Sequence, residues 1–118
     1  MKRVSVLIAT VLLVGQLTQA FAGSSYGSRQ AILVVNARSY DTFTTTFRGR
    51  DMAQVRVKGY GETVLEVYVL DQDGDVVTSN NDYHGECTVT WYPPATGDYT
   101  VVVVNRSYSA QDYFVSHN

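Results

Sequence analysis

The runs Leu65-Glu66-Val67-Tyr68-Val69-Leu70 and Tyr99-Thr100-Val101-Val102-Val103-Val104 consist almost wholly of β-branched, aromatic and aliphatic residues. Past Gly23, no stretch places apolar residues at i, i+3, i+4 and i+7 for more than a turn or two. A strand shows alternate side chains to opposite faces, whereas a helix needs an apolar stripe of period 3.6 to bury anything. Strands are therefore the elements on which this chain can build a core, and the class is all-β. The alternation, cut by Gly, Asn, Asp and Pro, predicts eight short strands: Ala31 to Asn36, Tyr40 to Phe47, Ala53 to Lys58, Val64 to Leu70, Asp75 to Thr78, Cys87 to Tyr92, Tyr99 to Asn105 and Tyr113 to His117. Such a series predicts an antiparallel β-sandwich, jelly-roll or immunoglobulin-like, over residues 30–118.

The two opening runs are apolar on both faces. Leu65, Val67 and Val69 share one side, with Val64, Glu66, Tyr68 and Leu70 on the other; Tyr99, Val101 and Val103 oppose Thr100, Val102 and Val104. Strands of that kind belong inside a sheet, with their outer faces partly covered. Asp71-Gln72-Asp73-Gly74 predicts a tight hairpin, because Gly adopts positive φ without strain. Pro93-Pro94-Ala95-Thr96-Gly97-Asp98 predicts a rigid turn, since neither Pro can donate to a ladder.

The N-terminal segment is of another kind. Lys2 and Arg3 precede an apolar run from Val4 to Val14, and Gln16 to Gln19 then leads into Ala20-Phe21-Ala22. That is the order of a secretory signal peptide, residues 1–22, with cleavage after Ala22. The apolar run is too short to span a bilayer, which takes about 20 residues. The expected product begins with a flexible Gly/Ser-rich start, residues 23–29, is secreted or periplasmic, and has no stable membrane insertion. Losing Lys2 and Arg3 lowers the basic count from 9 to 7 against 11 acidic residues, so the formal charge moves from −2 to −4. A nucleic-acid partner would need a basic face, and this balance argues against one.

Cys87 is the single cysteine, so no internal disulfide can hold the domain. Its neighbours Thr88-Val89-Thr90-Trp91 have strand character, and the residue reads as a small apolar filler. The loop Asn80 to Cys87 also holds His84, which raises a thiol or zinc enzyme as an alternative. One Cys and two His do not make a recognised zinc spacing, and residues three apart on a strand point to opposite faces. No Ser lies in a Gly-x-Ser-x-Gly elbow and no carboxylate pair is set for glycoside hydrolysis, so the reading is non-enzymatic.

Asp71, Asp73 and Asp75 are the strongest candidates for chemistry, because hard divalent cations take several carboxylate oxygens on a flexible turn. The EF-hand pattern fails, with Val76 where that loop needs Gly and Asp82 where it needs Glu. A calcium site of another kind, drawing on this turn with Glu66, Asn80 or Asp82, stands against a solvated acidic hairpin tip. No cofactor is required; calcium is the ion for which the sequence offers ligands. Of nine Tyr, Tyr68, Tyr99 and Tyr113 stand where packing accounts for them. Tyr60, Tyr83, Tyr92 and Tyr108 fall at turns or strand ends and are the candidate ligand-binding residues.

Phe47-Arg48-Gly49, Ala53 to Val57, Leu65 to Gly74 with its D-x-D-G hairpin, Trp91-Tyr92-Pro93, the P-x-x-T-G-D-Y turn running on to Asn105, and finally Tyr113 stand in an order that resembles the bacterial pre-peptidase C-terminal domain. The resemblance implies a β-sandwich of the kind appended to secreted proteases, some of which bind calcium or collagen-like and other extracellular polymers. It departs from that pattern in the strand before the hairpin, where many such domains carry two acids and this chain has Val64 and Glu66. The function expected is binding of an extracellular polymer or of an envelope or secreted protein. A calcium-stabilised structural module of the envelope is the alternative.

Overall fold

The computed structural model describes residues 17–19, 29–60, 64–81 and 85–118. Eight of its strands fall where alternation places them, each boundary within two residues: β2 (Arg29–Val35), β3 (Ser39–Phe47), β4 (Ala53–Gly59), β5 (Leu65–Leu70), β6 (Val76–Asn80), β7 (Glu86–Trp91), β8 (Gly97–Asn105) and β9 (Gln111–His117). A ninth, β1 (Leu17–Gln19), pairs in parallel with Asp41–Phe43 of β3. Three residues are too few to show a period, and they fall in the segment expected to leave with the signal peptide. Cleavage after Ala22 would remove β1 and make β3 an edge strand.

The strands form two sheets, one in the order β1-β3-β8-β5-β6 and one in the order β2-β9-β4-β7. Every pairing except that of β1 is antiparallel. The chain is an antiparallel β-sandwich. Both strands read as apolar on two faces, β5 and β8, are interior strands. Their inner residues Leu65, Val67, Val69, Tyr99, Val101 and Val103 join the core with Val55 and Val57 of β4, Val89 and Trp91 of β7 and Tyr113 and Val115 of β9. On the outer face Leu70, Val102 and Val104 are buried beneath Tyr40, Tyr68 and Val76, which supplies the partial cover.

Only β5 and β6 are consecutive described strands that neighbour each other in one sheet; every other connection from β2 to β9 crosses between sheets. The register therefore sorts the loops. Ser39, Leu65 and Asn105 lie level at one end, while Phe47 and Gly97 lie level at the other. The first end gathers the loops after β2, β4, β6 and β8. The second gathers the loops after β3 and β7 with the β5–β6 hairpin.

The second end is closed by aromatic packing and by a tight loop contact. Phe47 lies edge-on to Trp91 at 4.7 Å and to Tyr99 at 6.1 Å between ring centroids. Above them the Gly49 N–H donates to Thr96 Oγ1 at 2.9 Å, and Arg50 N–H donates to Pro93 O at 2.8 Å. A Cβ on Gly49 would meet the Ala95 backbone carbon at 2.4 Å, so only Gly permits this approach.

Candidate functional site

At the first end, β8 finishes on Asn105, which is fully buried and serves as the hub of two loops. Its Nδ2 faces the carbonyls of Val35, Asn36 and Ser109 at 3.3, 3.1 and 2.9 Å, and its Oδ1 accepts the backbone N–H and hydroxyl of Ser107 at 3.0 and 2.7 Å. The β2–β3 loop is sewn to the same turn. Arg38 donates from its backbone to Ser107 O at 2.9 Å and from Nη1 to Arg106 O at 2.7 Å. Arg38 sits at φ 53°, a left-handed conformation that these two bonds hold in place.

This scaffold presents Tyr108. Its ring is 87% exposed, and the Arg38 guanidinium lies 5.1 Å from the ring centroid. Tyr60, 47% exposed, follows β4 at the same end and is tied to the start of β9 by its N–H to Asp112 O at 3.2 Å. Val34, which pairs with Asp112 near the same end, is also exposed. Two aromatic rings and an arginine on tethered loops, with an aliphatic side chain near the end of β2, thus stand exposed at this end. Tyr92 is also exposed, but it follows β7 at the opposite end. Tyr83, Asp82 and His84 lie outside the described residues, as does the Gly23–Ser28 start. Tyr99 and Tyr113 are core residues, as their register predicts.

The remaining candidates separate. Cys87 is buried in the core, its thiol donating to Leu65 O at 3.3 Å, which is the filler role and leaves it no access for chemistry. Glu66 does not join the acidic turn. It lies buried on the outer face of β5, accepting the Tyr68 hydroxyl at 2.9 Å and Arg106 Nε at 2.7 Å. Burial and then the bonded carboxylate push the Tyr68 phenol above its ordinary range, and the same carboxylate holds Arg106 more firmly protonated. Asn80 likewise looks elsewhere, donating from Nδ2 to Thr88 O at 3.1 Å.

Asp71, Asp73 and Asp75 do come together, each with a carboxylate oxygen within 4.8 Å of the others. The β5–β6 hairpin arranges this. Asp71 Oδ1 accepts the N–H groups of Asp73 and Asp75 at 2.9 and 3.0 Å, Asp71 N–H donates to Asp75 O at 2.9 Å, and Gly74 takes φ 83°. Asp73 is exposed at the tip while Asp75 is only 9% exposed. Gln72 donates from Nε2 to Asp98 O, which fastens the hairpin to the β7–β8 turn.

A group that sequence reasoning missed lies in the core. Asp41, on the inner face of β3, accepts the Tyr113 hydroxyl at Oδ2 at 2.6 Å, and its Oδ1 has no partner among the described residues. Burial, partly offset by that hydrogen bond, pushes its carboxyl up to about 6.

No protein-family model and no curated protein matches the sequence. Solved structures do. The Aeromonas hydrophila PliG, a periplasmic lysozyme inhibitor of g-type lysozyme, superposes with a TM-score of 0.63 at 15% identity over 87% of this chain and 96% of its own. The likeness is one of fold. The pre-peptidase C-terminal domain of a collagenase from Bacillus anthracis gives 0.58 at 12% identity over 88% and 95%. The Salmonella Typhimurium PliG, also an inhibitor of g-type lysozyme, gives 0.55 at 19% identity over 86% and 96%. The sandwich implied by the sequence resemblance is thus matched by a solved domain of that kind, and two inhibitors share it.

Proposed function

We propose that this chain is an exported, non-enzymatic β-sandwich that binds another protein through the loop end bearing Tyr60 and Tyr108. The observation that carries the reading is Tyr108 itself, a ring 87% exposed on a loop that Asn105 and Arg38 hold rigid. Ordering a side chain on association costs about 0.5–1.5 kcal/mol, and a loop fixed in advance avoids much of that cost. Tyr and Arg are also the residues on which binding energy concentrates at protein interfaces.

The choice of partner is supported by the two inhibitors of g-type lysozyme that share the fold across nearly their whole length. Their periplasmic setting agrees with the export segment read at residues 1–22. Formal charge is −2 before processing and more negative after it, which favours a cationic protein over an anionic polymer. A g-type lysozyme is therefore the first partner to test. Lysis of cell walls by that enzyme, followed with increasing amounts of the purified protein, should fall to a stoichiometric end point. Tyr108→Ala should weaken inhibition by about tenfold or more, and Tyr92→Ala at the opposite end should leave it unchanged. Undiminished lysis at a large excess of the protein would eliminate this target.

A further inference from the structure

We infer that the β5–β6 hairpin is a calcium site with Asp71, Asp73 and Asp75 as its carboxylate ligands. Three acids on a turn would by themselves be a solvated tip. What separates this turn from that case is Asp75, whose side chain is 9% exposed and whose Oδ1 is buried with no hydrogen-bond partner among the described residues. A buried carboxylate oxygen without a partner is costly, and the cost rises when two more carboxylates face it. None of the three acids forms an ion pair with a described Lys or Arg. A bound cation supplies the missing partner for Asp75 and neutralises the other two together.

The three carboxylate oxygens lie within 4.8 Å of one another, close enough for one ion to bridge them, and calcium accepts about six to eight oxygens in flexible geometry. Magnesium, bound at about 2.0–2.1 Å in strict octahedral order and reluctant to shed water, suits a flexible turn less well. Asp71 is held for this task, since its Oδ1 accepts two backbone N–H groups and its other oxygen is left for an ion. Through Gln72 and Asp98 the ion would also steady the β7–β8 turn. The site is at the far end from Tyr108 and does not depend on the lysozyme reading.

The test is a calcium titration of the chelator-treated protein, read by calorimetry and by melting. One ion per chain is expected, with a dissociation constant on the order of 10⁻⁴–10⁻³ M and a melting midpoint about 5 °C or more higher in 10 mM calcium. Asp73→Asn, at the exposed tip where folding is not at risk, should lower the affinity at least about tenfold. Asp75→Asn should abolish the response and, in chelator, melt no lower than the parent protein, because it removes the buried charge while keeping the volume. Equal midpoints in calcium and chelator, or an undiminished response in the Asp73→Asn/Asp75→Asn double variant, would overturn the assignment.

Discussion

Asp41 is a carboxyl lodged among apolar side chains, and it ties the protein's stability to pH. Its folded value of about 6 lies above the ordinary carboxylate value, so the folded chain holds the proton more tightly than the unfolded one. The associated stability is complete below about pH 4 and is lost as pH rises through about 6. Asp41→Asn keeps an acceptor for the Tyr113 hydroxyl and removes the charge. At pH 7.5 the variant should be more stable than the parent by up to about 3 kcal/mol, with the gap closing toward pH 4, as urea denaturation across that range would show. His117, whose burial holds its imidazole below the usual value, contributes in the opposite sense, but it is present in both proteins and cancels in the difference. A gap independent of pH would mean that Asp41 is not the titrating group. The residue was not legible in sequence because Ser39-Tyr40-Asp41-Thr42 is polar enough on both faces to leave the buried side undecided. Its partner Tyr113 is 72 residues away.

Strands were legible and loop partnerships were not. Val-rich alternation located β5 and β8 and their place inside a sheet, since neighbours two residues apart decide a face without reference to the rest of the chain. Which loops share an end depends on how the strands cross between sheets, and no local pattern records that. Hence Tyr60 and Tyr108 share an end of the sandwich and Tyr92 lies at the other. Glu66 was grouped with the hairpin acids on chemistry alone, although five residues of extended strand put it about 16 Å from Asp71. Asn105 is the residue on which the Tyr108 loop turns. Asn105→Ala would orphan the carbonyls it now faces and should cost about 2–4 kcal/mol. Hydrogen exchange should also quicken at the Arg38 amide, which is bonded to Ser107 O. A stability loss with unchanged Arg38 protection would show that the loop does not depend on Asn105.

Across the whole molecule, the fold separates two surfaces by the length of its longest strands. β3 and β8 each run nine residues, about 30 Å, between the Tyr108 end and the acidic hairpin. An ion bound at one end and a protein bound at the other would therefore make no shared contact, and the proposed inhibition should be the same in calcium and in chelator. Hydrogen exchange of the complex with g-type lysozyme tests the binding end directly. Amides at Asn36–Ser39, Gly59–Tyr60 and Arg106–Asp112 should slow on complex formation, while those at Asp71–Val76 and Tyr92–Asp98 keep their free rates. Slowing confined to the hairpin and the Pro93 turn, or no change anywhere at saturating enzyme, would contradict a protein-binding site at the Tyr108 end.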